Sequence, residues 1–418
     1  MRLARTVATI ALAMTAGHAA RAQTVTQRGF VEGAAFLFPE TAPNDATRVI
    51  GDALVREELF VKPAPWAQFA IGVDLRTNSH DQVESAWRLD LADRGIRRPA
   101  VAVRKLSATV THGALTLDAG KQFIRWGKTD IINPTDRFAP RDFLDVISPE
   151  FLPVAGVRAA LTHRDDTIEG VWVPRLTPSR VPLFDQRWAA LPPEAAALPV
   201  VDAGSTVPPG AQVGARWSHA GAGIEYSVSF FDGFNHLPNI ESRLGGPLPV
   251  IEVSRAYPAI RGYGADAAVP TRWFTVKGEA EYFMARPAGD VATPASDDYL
   301  LYVVQLERQT GEWMLVGGYV GELVVVDRSE VAFAPDRGMT KSILGRAAYT
   351  IDPRRSMAFE AAVRQTGDGL YLKSEYSEAR GRHWRLTLAG VAIAGRSDDF
   401  LGQYRRNSHA AATLRYSF

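Results

Sequence analysis

Cysteine is absent from this chain of 418 residues. That absence excludes disulfides, zinc–thiolate sites, cysteine nucleophiles and a lipid anchor on cysteine. Long hydrophobic runs are missing too. Beyond the N-terminal segment, the longest apolar stretches, such as residues 314–320 and 323–326, fall far short of the roughly 20 residues that a membrane helix needs. Net charge is almost nil, with 47 Lys and Arg against 46 Asp and Glu. A nucleic-acid binder's basic footprint and an acidic tail are therefore both lacking. Histidine is scarce, with no two residues at metal-ligand spacing, and no Gly-rich phosphate loop occurs. The least poor nucleophile–base pair is His383 with Ser374 or Ser377, and no third group orients it. No cofactor, no metal and no catalytic activity are expected.

What is present begins with an export signal. Arg2 and Arg5 precede a mostly apolar run over residues 7–16, and Ala20-Arg21-Ala22 supplies a small-residue cleavage site. Residues 1–22 are read as a signal peptide and 23–418 as one mature domain.

From about residue 27 onward, strand follows strand and no amphipathic helix interrupts them. In residues 66–76, Ala67, Phe69, Ile71, Val73 and Leu75 share one face, and Gln68, Asp74 and Arg76 share the other. Residues 224–231, 272–284, 357–364 and 370–377 repeat the pattern. The longer runs reach about ten residues, which at about 3.3 Å per residue and a tilt near 40° cross a bilayer's apolar core. Alternation of this kind averages every hydropathy window to near neutral, so a membrane barrel hides from a search for helices.

Connections alternate between short and long. Tight turns are expected at residues 62–65, 112–113, 164–166, 220–223, 309–311, 352–354 and 379–381. Longer Pro-, Gly- or Asp-rich stretches fall at 39–47, 78–98, 126–152, 177–210, 233–249, 286–296, 327–338 and 396–404. The expectation is an all-β, antiparallel transmembrane β-barrel of about 16–18 strands, with short periplasmic turns and long outer loops. Nothing is left over for a plug domain ahead of the barrel.

The chain ends with Ala412, Leu414, Tyr416 and Phe418 on one face and Thr413, Arg415 and Ser417 on the other. With this terminal strand the chain resembles bacterial outer-membrane barrels, porins in particular. The resemblance implies that the barrel-assembly machinery recognises Leu414, Tyr416 and Phe418 as the closing strand. A second resemblance covers about 25 residues: Trp126-Gly127 followed by Asn133-Pro134 is similar to a segment in a poorly characterised group of porin-like proteins. It implies no substrate.

Residues 128–145 hold Lys128, Asp130, Asp136, Arg137, Arg141 and Asp142. They are read either as a constriction folded into the barrel mouth or as an external loop with surface ion pairs. The alternation assigns Arg76, Arg158, Arg216, Lys277, Arg346, Arg364, Lys373, Arg385 and Arg415 to the lumen. It also assigns Asp74, Glu225, Glu279, Glu281, Glu307, Glu322, Glu360 and Glu375 there. In lipid, each Arg or Lys at mid-depth would cost about 2–4 kcal/mol. The expected function is a passive outer-membrane pore for small polar solutes, with lipid and lipopolysaccharide around it. A dedicated channel for one polymer or hydrophobic ligand is the first alternative, although no aromatic ladder is evident on the lumen faces. A scaffold barrel, or one stoppered by residues 177–210, is the second. Monomer and trimer are both open.

Overall fold

The structure is a computed structural model that describes residues 24–190, 198–245, 250–286, 295–328 and 331–418. The expected signal peptide, residues 1–22, lies outside the described residues. The wall is a closed barrel of 18 antiparallel strands. The first six are β1 (Thr24–Leu37), β2 (Val49–Ala64), β3 (Ala67–Asn78), β4 (Val101–His112), β5 (Leu115–Gln122) and β6 (Val154–His163). Next come β7 (Asp166–Val173), β8 (Gln212–Gly221), β9 (Ile224–Phe234), β10 (Ala259–Pro270), β11 (Thr275–Ala285) and β12 (Asp298–Thr310). The last six are β13 (Trp313–Val326), β14 (Ser342–Asp352), β15 (Arg355–Arg364), β16 (Leu370–Arg380), β17 (Trp384–Ala394) and β18 (His409–Ser417).

Each strand pairs with its neighbour in sequence. β1 then pairs with β18, from Phe30 opposite Ser417 to Leu37 opposite Ala410. Among the described residues the barrel wall has no edge strand, which is what a sheet in hydrocarbon requires of its backbone N–H and C=O groups. At the seam, Phe418 N donates to Gly29 O at 3.0 Å and Gly29 N to Phe418 O at 3.1 Å.

Alternating side chains sort the two faces. Ile71, Leu117, Val228, Val304, Phe359 and Leu414 stand exposed on the outer wall. Their neighbours in sequence or across the pair, such as Asp118, Ser227, Gln305 and Glu360, turn inward, where they meet other polar groups. Near the short turns, Trp313 packs on Tyr349 at 4.7 Å and Trp384 on Tyr416 at 4.9 Å. Such rings suit the interface between hydrocarbon and water.

The seven expected tight turns are present, and an eighth joins them. Residues 272–284 are not one strand, because Thr271 Oγ1 accepts from Trp273 N at 3.4 Å and Phe274 N at 3.2 Å. That hydroxyl-closed turn separates β10 from β11, although Trp273 and Phe274 continue a strand-like pattern.

The long connections do not all stay outside. Ile124, Trp126, Ile132 and Phe138, from the connection after β5, form the principal hydrophobic core with inward side chains of β6, β7 and β9–β13, among them Val171, Phe231, Ile260, Phe283 and Leu301. A second cluster joins Val146 and Trp188 to Leu401, Tyr404 and the inward Ala362, Val391 and Ile393. The core of this protein therefore lies inside the cylinder. A separate three-stranded sheet, Val200–Thr206, Asn239–Gly245 and Val250–Ala256, is built from the long connections alone.

Candidate functional site

The inward segment is shaped first by itself. Asp136 Oδ1 accepts from Trp126 N and Gly127 N, both at 2.7 Å, so the stretch doubles back between them. Gly127 is required by this fold-back: a Cβ there would lie 2.5 Å from the Asn133 side chain. Gly214 on β8 does the same for the wall, since its Cβ would sit 2.6 Å from Trp126 and 2.7 Å from Phe138.

One wall carboxylate then pins the segment. Glu279 on β11 accepts from Lys128 N at 2.7 Å, Thr129 N at 3.0 Å and Thr129 Oγ1 at 3.0 Å through one oxygen. Through the other it accepts from Thr135 N at 3.0 Å and Thr135 Oγ1 at 2.9 Å. A buried carboxylate needs this many donors, and it is satisfied only while residues 128–135 lie against the wall. Two residues on, Glu281 lies 3.4 Å from Arg137, whose guanidinium sits over the Phe283 ring. Asp130 receives Lys277 Nζ at 2.8 Å and Gln305 Nε2 at 2.5 Å, while its own N donates to Gln305 Oε1 at 2.8 Å. Burial acts to raise the Asp130 carboxyl, and the bonds from Lys277 and Gln305 outweigh it and hold the group below its usual range. Lys128 pairs with Glu225.

The six charged residues of the segment thus divide. Lys128, Asp130 and Arg141 remain partly open to the lumen, with Arg141 over the Phe151 ring. Asp136, Arg137 and Asp142 are buried and tie the segment down. Asp142 is bound by Arg98 at 2.9 Å and Arg180 at 3.1 Å, and Arg180 continues to Asp93 at 2.7 Å and Lys121 from there at 2.8 Å. Burial pushes the Asp142 and Asp93 carboxyls up, but the paired cations prevail and hold both below the carboxylate range.

The wall residues also differ in openness. Glu279 and Glu281 lie beneath the segment, each 2% exposed. Arg76 binds Glu150 at 2.9 Å, Arg216 binds Asp266 at 2.8 Å, and Arg364 binds Asp399 at 2.8 Å. Asp74 binds Arg56 at 2.7 Å; Arg158 pairs with Glu169 and Glu322 with Arg337. Facing more open space are Arg346 with Glu360 at 3.5 Å, Lys373 with Glu375 at 3.2 Å, and Arg415 with Glu32 at 2.6 Å. Arg385 donates to Ser377 Oγ at 3.1 Å, and Glu307 joins Lys277 at 2.6 Å. His383 Nδ1 lies 2.7 Å from the Ser417 carbonyl, away from any serine hydroxyl partner. Among the described residues no group of three or more His, Asp or Glu is placed to hold a metal.

Two features escape the sequence reading. Arginines stack on inward aromatic rings: Arg415 over Phe30 at 4.2 Å, Arg104 over Phe123 at 4.7 Å, and Arg125 over Phe151 at 4.0 Å. These rings line a cavity of about 490 Å³ with Arg56, Arg104, Arg125 and Arg415, so aromatic side chains do face the lumen. The second is Arg187, which lies over the Phe38 ring at 3.7 Å and binds Asn407 Oδ1 at 3.3 Å and Thr47 O. Asn44 reciprocates by donating to Phe184 O and Gln186 O. Residues 177–190 are thereby fastened to the connections after β1 and β17. Of the expected stopper, 177–210, residues 191–197 lie outside the described residues.

A scan against protein-family models finds no match, and a search of curated proteins finds no relative. Solved structures do match. A BenF-like porin from Pseudomonas fluorescens Pf-5 superposes with a TM-score of 0.57 at 9% identity, over 95% of this chain and 98% of that one. The outer membrane protein opdK from Pseudomonas aeruginosa gives 0.53 at 10%, over 94% and 98%. OccAB4 from Acinetobacter baumannii gives 0.52 at 11%, over 95% and 98%. At such identities the likeness establishes the fold, a complete barrel of the outer-membrane porin type.

Proposed function

We propose that this porin-type barrel is a passive channel of the bacterial outer membrane, exported by residues 1–22 and admitting small polar solutes. The observation that carries the reading is the segment that Glu279 holds against the inner wall, which we read as a constriction of the bore. Space remains on both sides, about 540 Å³ against β11–β16 and about 490 Å³ against β1, β2, β4 and β18. Ion pairs along these spaces offer a passing solute hydrogen bonds in place of some of its water and set the local field, and the width left by the segment sets the size limit. Leu414, Tyr416 and Phe418 offer the assembly machinery an aromatic closing strand beside the Gly29 seam. No step in such passage calls for a catalytic group.

Refolded full-length protein in a planar bilayer tests the reading. Stable ohmic steps are expected, and deletion of residues 130–142 raises them. Unchanged steps in the deletion variant remove the constriction; silence at every voltage removes the channel. Silence would favour the second reading, a stoppered or scaffold barrel, for which the fastening of residues 177–190 by Arg187 and Asn44 is the specific support.

A further inference from the structure

The wall of a wet bore ordinarily carries polar side chains, and on one side this one departs from that. The inward positions of β13–β16 include Met314, Val316, Leu344 and Tyr371, and opposite them the pinned segment presents Ile131 and Ile147. Between the two apolar surfaces lies the cavity of about 540 Å³, a volume within the usual range for small-molecule sites. Arg141 and Asp336 line it with opposite charges, Arg141 donating to Asn133 Oδ1 at 3.2 Å, and its other charged groups are paired. Lys277 is held by Asp130 at 2.8 Å and Glu307 at 2.6 Å, and Arg346 faces Glu360 at 3.5 Å. Such pairs supply hydrogen-bonding partners with little net field. The cavity on the other side of the segment instead sets four arginines, Arg56, Arg104, Arg125 and Arg415, against two carboxylates, Glu32 and Glu150.

We propose that the apolar cavity is a binding site for a small amphiphilic solute without net charge. Its ring or short chain lies against Met314, Leu344 and Ile131, and its polar groups reach the Lys277 and Arg346 pairs. The inference rests on the channel reading for its place in transport, and it names the solute class that reading leaves open. The driving force is removal of exposed apolar surface from water, at about 25 cal/mol per Å². Oriented polar groups at the rim add specificity.

Saturation-transfer NMR on the detergent-solubilised full chain reads the site directly. Three probes are used: L-phenylalanine, L-serine as a zwitterion without an apolar body, and 3-phenylpropanoate as a ring with net charge. Transfer to the phenylalanine ring protons is expected, with serine silent and phenylpropanoate weaker. Met314 is 37% exposed, so Met314→Asp alters the cavity surface without emptying a packed core. That variant is expected to lose transfer by at least about fivefold, a difference of about 1 kcal/mol, while Met314→Leu retains it. Equal transfer in Met314→Asp, or stronger transfer to phenylpropanoate, overturns the proposal. The comparison of probes on the unaltered protein decides even if the aspartate variant does not fold. Binding without conductance steps would sink the channel reading and leave the site; steps without binding would sink the site alone.

Discussion

Glu279 is the residue on which the proposed narrowing depends. Its two oxygens take five hydrogen bonds from one short stretch, and none has a substitute in the wall. Glu279→Ala is expected to free residues 128–135, at a local cost of about 2–4 kcal/mol for charge-assisted bonds. Single-channel recording should show a larger, noisier conductance, with Glu279→Gln intermediate because an amide offers one acceptor oxygen. A second expectation concerns pH at the mouth. His236 bonds Ser179 Oγ at 2.8 Å, and burial first, then Arg137 and Arg141, drive its pKa well below the ordinary value. A depressed folded pKa means that the neutral form's contribution is full above the unfolded value, about 6.5, and declines as pH falls below it. The Asp93 and Asp142 contributions, also from depressed pKa values, persist until pH falls below about 4. Amide protection factors in residues 176–183, corrected for the intrinsic pH dependence of exchange, should therefore fall between pH 7.5 and 5.5, and His236→Asn should flatten that step. Of these residues the sequence marks Glu279 as inward by its alternation with Ala280. It cannot mark His236 or Arg187, because their partners lie far along the chain on other connections.

Among elements, strands were legible and inward connections were not. A strand announces its two faces every second residue, so β3, β9, β15 and β16 are readable from a window of eight. The turn at residues 271–274 is hidden, since its Trp and Phe mimic the strand on either side. The connection after β5 hides more: its apolar residues Ile124, Trp126, Ile132 and Phe138 have no period, and only the wall they meet explains them. Gly214 is part of that wall. Gly214→Val is expected to displace Trp126 and Phe138, costing about 1–3 kcal/mol as overpacking does. The check is a lower midpoint in heat-dependent gel mobility, with strand content by circular dichroism unchanged.

At the scale of the whole molecule, the outer face must stay apolar and the mouth must stay tied. Val228→Arg places a cation on the outer wall near the middle of β9 and is expected to destabilise the barrel by about 2–4 kcal/mol, measured by reversible unfolding in lipid vesicles. Arg187→Ala removes the tie between residues 177–190 and the connections after β1 and β17. Its expected outcome is frequent brief excursions above the steady current level in single-channel traces, with a lowered unfolding midpoint because Asp45 loses a buried partner. The barrel and its closing strand were readable because the same alternation recurs on most strands, although the count stayed between 16 and 18 and the boundary at residues 271–274 was missed.

The seam between Gly29 and Phe418 has a consequence for how the molecule is made. Its oily centre comes from a connection midway along the polypeptide, yet the ring around it shuts only when the last residue meets the first strand. That connection leaves the wall at β5, whereas its anchor Glu279 stands on β11, so it can lock against the wall only after β11 has joined the sheet.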